Sequence, residues 1–171
     1  LHRYAEAEAI GWEGLARSLG CSTDALDQVA LCRAPREESF AADVEAMINK
    51  AKSERKPDQA NFIQQIVRLA PYNANLEYRV AGLETPATLH EAEAELVFVV
   101  DGAGTLVSGG KLTEEKRTNP TNLAGKEVEG GTSQRIAKGD YAFIPENTAH
   151  SFRKTEGRLV IMSIHMPRGG K

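Results

Sequence analysis

A pair of spaced motifs constrains this chain more than any other feature. The first motif runs from Gly82 to Gly102 and contains, in order, Thr88, Leu89, His90 and Glu95. The second runs from Gly139 to His150 and contains Pro145 and Asn147. Both lie in strand-like sequence. Together they supply two imidazoles and a carboxylate, a donor set typical of a mononuclear metal site. The spacing therefore predicts a metal site built on β-strands.

The bulk composition excludes several classes of function. The chain has 171 residues, enough for one or two small domains with a buried core. Lys and Arg total 21 against 24 for Asp and Glu, so the net charge is −3. This balance argues against binding to nucleic acid or to an anionic membrane, since both need an excess of cations. The longest apolar run, Leu96–Val100, has the length of a strand and not of a membrane span.

The two cysteines and the N-terminus bear on localisation. Cys21 and Cys32 form neither a zinc motif nor a disulfide framework, and we interpret them as buried apolar residues. Free thiols are typical of a cytoplasmic protein, which is our expectation. The sequence begins with Leu1, so we also consider a processed or trimmed N-terminus.

The composition and the spacing of apolar residues change near residue 55, and this change predicts two domains. Residues 1–55 are rich in Ala, Glu, Leu and Arg at helical spacing and predict a small N-terminal α-helical segment, whose third helix runs from about Ser39 to Ala51. A charged linker, Lys50 to Asp58, follows. Residues 56–171 have β-branched residues with a period of two and predict a β-barrel domain.

Two segments of the β-rich part are predicted to connect strands, one short and one long. Asp101–Gly104 separates two strand-like runs and is typical of a hairpin turn. The long polar segment from Ser108 to Ser133 predicts an excursion that leaves the barrel between two strands and returns. Segments of this length act either as lids or as plain surface extensions.

The spacing of His90 and Glu95 requires an irregular backbone. Five positions separate them, so a regular strand would place them on opposite faces. We therefore predict a bulge or bend within Glu91–Ala94, which contains no β-branched residue. In the second motif, a strand and a turn at Pro145–Asn147 present His150 at a fixed depth.

The combined spacing of the two motifs resembles that of the cupin superfamily, over about residues 61 to 167. This resemblance implies a mainly β fold, the cupin double-stranded β-helix or jelly-roll barrel. Within this superfamily, the sequence is similar to a group of small bacterial proteins that have a Gly-Gly-flanked insertion between the two motifs. Departures from the pattern are Asn147 for a usual glycine, Lys154 for a usual asparagine, and Thr88 for the first histidine.

By resemblance, the metal ligands are His90, Glu95 and His150. They suit one divalent ion, namely iron, manganese, nickel or zinc. Thr88 could hold a metal-bound water as a supporting residue. Glu93 is a reserve ligand or a surface carboxylate. His165, in the last strand, either belongs to the core or lines the pocket, and supports the ligands at best.

Three functions follow, and the sequence leaves the question of enzymatic activity open. The first is a metal-dependent cupin that acts on a small polar molecule, in a homodimer as the resemblance implies. The second is a ligand-sensing regulator, because the segment from Leu15 to Leu26 looks like a helix-turn-helix. Its second helix offers Asp24, Asp27 and Gln28, a poor set for reading DNA. The third is a non-catalytic binding barrel.

Overall fold

The computed structural model of the chain describes residue 11, residues 13–14, residue 17, and residues 37–69 and 72–168. Its contacts divide the chain into two units, Leu1–Asp43 and Val44–Lys171. Ahead of the third predicted helix, Glu13, Gly14 and Arg17 are described and are helical. Both cysteines and most of the helix-turn-helix segment lie outside the described residues. The division at residue 55 stays a prediction.

Helix α1 spans Glu37–Glu54 and is longer than predicted at its C-terminal end. Ile48 and Ala51 are buried against Leu76, Tyr78 and Val160. This apolar contact explains why the helix continues into the segment predicted as a linker, since tertiary packing supplies most of the stability of such helices. The second half of α1 thus covers one face of a sheet.

Twelve strands form the described part of the β-rich unit. They are β1 (Asn61–Leu69), β2 (Tyr72–Val80), β3 (Ala87–His90), β4 (Glu93–Ser108), β5 (Lys111–Leu112), β6 (Lys116–Asn119), β7 (Asn122–Gly125), β8 (Val128–Glu129), β9 (Thr132–Ala137), β10 (Tyr141–Ile144), β11 (His150–Arg153) and β12 (Arg158–Pro167). Every pairing among them is antiparallel.

The long strand β4 belongs to two sheets. Its first half, Glu93–Gly102, pairs with β12 and β10, and β12 continues through β2 to β1. Its second half, Ala103–Ser108, pairs with β9, and Thr105–Ser108 also pairs with β11, which leads through β3 and β7 to β6. Apolar side chains from both sheets share one buried cluster, which includes Val97 and Leu159 from one sheet and Leu106 and Phe152 from the other. The two sheets therefore face each other, as a jelly roll requires.

The hairpin predicted at Asp101–Gly104 is wrong, because β4 runs through this segment without a turn. Gly102 has a φ of 77°, and the register between β4 and β12 shifts beside it, between Val160 and Ile161. Val100 is left without a partner in β12 by this shift, and the bulge together with Gly102 marks the place at which β4 passes from one sheet to the other.

The segment from Ser108 to Ser133 leaves the sheet and returns, as expected, but it is not a loose loop. β5 pairs with β8, and β6 and β7 form a hairpin whose strand β7 lies along β3. The hairpin extends the second sheet at the position of the first motif. No helix among the described residues is both long and apolar enough to cross a membrane.

Candidate metal centre

The end of β3 and the start of β4 bring His90 and Glu95 to the same cavity. β3 ends at His90, the chain bends at Glu91–Ala92, and β4 begins at Glu93. The irregularity predicted between the two ligands is therefore confirmed. Two backbone hydrogen bonds fix the bend: Asn147 donates to the carbonyl of His90, and Glu91 donates to that of Thr121, both at 2.8 Å.

The second motif places His150 at the first position of β11. Asn147, in the predicted turn before it, has a φ of 58°, a left-handed conformation that asparagine adopts readily. His150 is 2 % exposed and lies opposite Thr88 of β3 in the ladder. The turn and the ladder together fix the depth of the imidazole between the sheets.

Two of the ligands predicted from the sequence, His90 and His150, both lie close to the third, Glu95. His150 Nε2 is 3.0 Å from Glu95 Oε2, and His90 Nε2 is 3.8 Å from the same oxygen. The centres of the two imidazole rings are 5.4 Å apart. Two ligands about 2.1 Å from one ion lie about 3 to 3.4 Å apart at octahedral or tetrahedral angles. The spacing suits a shared cation after a small movement of His90.

Hydrogen bonds at Nδ1, the outer nitrogen of each imidazole, determine whether Nε2, the nitrogen that faces Glu95, has a proton or a lone pair. His150 Nδ1 lies 3.0 Å from the carbonyl oxygen of Thr148, which can only accept, so Nδ1 carries a proton. His90 Nδ1 is 3.1 Å from Asn122 Oδ1. A neutral ring that donates from Nδ1 directs an Nε2 lone pair inward. Two imidazole lone pairs facing a carboxylate oxygen would repel it, so the arrangement needs a cation between them: a metal ion, or in its absence the proton through which His150 Nε2 bonds Glu95.

Glu95 is held as a buried carboxylate. It is 4 % exposed and accepts a hydrogen bond from the Ser163 hydroxyl at 2.6 Å. Burial alone raises the pKa of Glu95, but the hydrogen bond and charge of His150, together with Ser163 and His165, outweigh burial and lower the pKa to about 2. Burial lowers the pKa of His90, partly offset by its bond to Asn122. Near neutral pH the site therefore offers a carboxylate and a neutral imidazole at His90.

The three supporting candidates from the sequence also lie in the cluster. Thr88 Oγ1 is 3.0 Å from His150 Nε2. His165 lies between Glu93, whose Oε1 is 2.9 Å from its Nδ1, and Ser163, whose Oγ is 3.1 Å from its Nε2. Ligand atoms of His90, Glu95 and His165 lie within 4.8 Å of one another, so His165 is close enough to be a ligand itself.

The cluster forms one wall of a cavity of about 440 Å³. Part of the remaining wall is polar and comes from β1 and β2, with Asn61, Asn75, Glu77 and Arg79. Arg79 pairs with Glu77 and donates to Thr85 Oγ1 at 2.7 Å, and its guanidinium lies 4.6 Å from the centre of the Phe152 ring. Sequence reasoning missed this wall. The pattern that could have revealed this wall is the alternation of polar Asn75, Glu77 and Arg79 with apolar residues along β2.

The donor set therefore fits a divalent metal ion, since nitrogen and carboxylate ligands of this kind suit iron, manganese, nickel or zinc. Zinc and the other divalent ions named above bind imidazoles whose outer N–H group is hydrogen-bonded. The outer nitrogens of His90 and His150 both have such a partner.

Comparisons with known proteins bear on the fold. No protein-family model matches the chain, and no curated protein is similar to it in sequence. Among solved structures, TT1209 from Thermus thermophilus is similar with a TM-score of 0.51 and 14 % identity, over 71 % of this chain and 95 % of that one. The Schizosaccharomyces pombe Cnp3 cupin domain gives a TM-score of 0.49 and 12 % identity, over 68 % and 72 %.

A third structure, the DMSP lyase DddQ from Ruegeria pomeroyi, gives a TM-score of 0.48 and 16 % identity, over 69 % of this chain and 53 % of that one. At such identities a likeness concerns the fold alone. The arrangement of the two sheets and the likeness to the Thermus protein confirm the predicted mainly β fold, a jelly-roll barrel.

Proposed function

We propose that this barrel binds one divalent metal ion through His90, Glu95 and His150, and acts on a small polar molecule in the adjoining cavity. The observation that carries this proposal is the convergence of two imidazole nitrogens on one buried carboxylate, with His150 Nε2 3.0 Å and His90 Nε2 3.8 Å from Glu95 Oε2. Iron, manganese, nickel and zinc all suit this donor set. His165 is a candidate fourth ligand.

The residues of the chain have separate tasks in this proposal. The Thr148 carbonyl and Asn122 orient the two imidazoles, and Ser163 holds Glu95. A bound metal would supply a Lewis acid that polarises an oxygen of the ligand molecule. Asn61, Asn75, Glu77 and Arg79 would contact the remainder of that molecule, since they line the same cavity. Their amide, carboxylate and guanidinium groups favour a molecule with several polar groups.

Elemental analysis of the purified protein tests the metal site. We expect about one equivalent of metal in the wild type after reconstitution, and none in His150→Ala or Glu95→Gln. Glu156→Gln is a matched control, because it changes an exposed carboxylate that pairs with Arg135 on the surface. Absence of metal from the reconstituted wild type would refute the proposal and favour a barrel that binds ligands without metal.

His165→Ala decides the role of the fourth candidate. If His165 is a ligand, the variant loses metal as His150→Ala does. If His165 only supports Glu93 and Ser163, the variant retains the metal with lower affinity, by about 10- to 100-fold.

We also propose a homodimer, on the support of an exposed aromatic edge. Tyr141 and Phe143 of β10 are 68 % and 60 % exposed, and within the described part of the chain β10 pairs with β4 alone. An unpaired edge with apolar side chains favours association with a second copy. Light scattering after size exclusion would give twice the chain mass for the wild type and the monomer mass for Phe143→Glu.

A further inference from the structure

The inserted segment, residues 109–131 between β4 and β9, lies beside the metal centre. Its strand β7 pairs with β3 along the whole of β3, and Asn122 is directly opposite His90 in this ladder. Residues opposite each other in an antiparallel pair direct their side chains to the same face of the sheet. The ladder therefore brings a residue of the insertion to the imidazole of a predicted metal ligand.

The contact between these two side chains is specific. His90 Nδ1 lies 3.1 Å from Asn122 Oδ1, within the range of a hydrogen bond. If the amide oxygen accepts the Nδ1 proton, His90 Nε2 presents a lone pair towards Glu95. The reverse arrangement would place an Nε2 proton towards Glu95 Oε2, and the 3.8 Å between those atoms is too long for a hydrogen bond.

A second set of contacts ties the insertion to the bend that follows His90. Arg117 of β6 donates to both carboxylate oxygens of Glu91, at 2.7 Å and 2.9 Å. The backbone N–H of Glu91 donates to the carbonyl of Thr121 at 2.8 Å. An exposed ion pair adds little stability, but a bidentate one defines geometry well. These bonds hold the Asn122 side of the hairpin in register with His90.

We infer that Asn122 is a positioning residue that fixes the Nδ1–H tautomer and the ring orientation of His90. The inserted segment is thus a structural part of the site rather than a lid over it. The consequence for metal affinity rests on the function proposed above, whereas the tautomer is a property of the metal-free protein.

The first test is the tautomer itself, by long-range ¹H–¹⁵N correlation NMR of metal-free, histidine-labelled protein at neutral pH. A spectrum of His90→Gln assigns the signals. We expect the Nδ1–H tautomer at His90 in the wild type and in Asn122→Asp, which retains an acceptor oxygen. Asn122→Leu removes the acceptor and should populate the Nε2–H form. Thr118→Ala is the control, since Thr118 bonds only the main-chain carbonyl of Asn122.

An Nε2–H tautomer at His90 in the wild type would overturn the inference, and so would an unchanged tautomer in Asn122→Leu. If Asn122→Leu does not fold, judged by its circular dichroism, Asn122→Ala makes the same deletion with a smaller side chain. The wild-type spectrum remains decisive in either case.

The second test is zinc affinity, measured by competition with a chromophoric chelator. We expect Asn122→Leu to bind Zn²⁺ about 10- to 100-fold more weakly than the wild type, while Asn122→Asp and Thr118→Ala stay within a few-fold. Equal affinity in all four proteins would show that Asn122 does not support the ligand. A wild type that binds no zinc but shows the expected tautomers would refute the metal site and leave the positioning role intact.

Discussion

The Ser163 hydroxyl donates a hydrogen bond to Glu95 Oε1 at 2.6 Å, and the two residues are 0 % and 4 % exposed. β12 and β4 pair side by side at this point, with His165 opposite Glu95 and Ser163 opposite Val97. A carboxylate buried to this extent needs such partners, because an uncompensated charge in the interior is costly. Ser163 thus links the last strand of the barrel to the central residue of the site.

Replacing this hydroxyl should destabilise the protein. A hydrogen bond to a charged group contributes about 1.5 to 3 kcal/mol, so Ser163→Ala should lower the free energy of unfolding by about that amount in urea denaturation of the metal-free protein. Ser133→Ala is the matched control, because Ser133 is exposed on β9. A loss no larger than that of the control would show that Glu95 does not depend on Ser163.

Removal of metal should lower the stability of the wild type but not that of a variant that lacks a metal ligand. A metal that binds the folded chain alone, present at 100 times its dissociation constant, raises the free energy of unfolding by about 2.7 kcal/mol. Thermal melts with and without chelator should therefore differ for the wild type and coincide for His150→Ala. Equal melting temperatures for wild type with and without saturating zinc would contradict the proposed site.

The motif spacing predicted the backbone geometry of the candidate site, because the interval between two residues of one strand constrains their directions. The odd interval between His90 and Glu95 required a bend, and the structure has one at Glu91–Ala92. Asn122, in contrast, is 32 positions from His90 in sequence and could not be linked to it. Their proximity depends on the pairing of β7 with β3, which local patterns do not specify.

The errors in the fold have the same origin. Glycine at positive φ serves equally in a hairpin turn and in a bulge, so the sequence around Gly102 could not separate the two. The charged residues after Lys50 predicted a linker, but the buried face at Ala51 extends the helix to Glu54. In both cases the deciding contact is with a strand distant in sequence.

Gly102 gives a test of the bend in β4. Its φ is 77°, and a Cβ there would overlap the main-chain carbonyl of Arg158. Gly102→Ala should lower the free energy of unfolding by about 1 to 2 kcal/mol through backbone strain. The displacement of β12 should lower it by about 1 to 3 kcal/mol more. Gly82→Ala is the matched control, since Gly82 has a φ of 79° and open space around its Cβ position. Similar losses in both variants, by chemical denaturation, would show that the contact with β12 does not matter.

The ion pair on the opposite side of the cavity gives the last prediction. The side chains of Arg79 and Glu77 are only 12 % and 9 % exposed, and Asn61 also donates to Glu77 Oε2, at 2.8 Å. Arg79→Met leaves a buried carboxylate with the amide of Asn61 as its remaining donor and removes the contact over Phe152. Breaking a buried pair in this way costs about 3 to 5 kcal/mol.

An exposed pair provides the comparison. Arg135 and Glu156 are joined at 2.8 Å, yet their side chains are 61 % and 53 % exposed. Arg135→Met should therefore lower the free energy of unfolding far less than Arg79→Met does, because solvent screens an exposed pair. The double variant Glu77→Gln/Arg79→Met should recover part of the loss of Arg79→Met, because it removes the unpaired charge. Equal destabilisation by Arg79→Met and Arg135→Met in urea, with no recovery in the double variant, would mean that water reaches Glu77 and that this wall of the cavity is open to solvent.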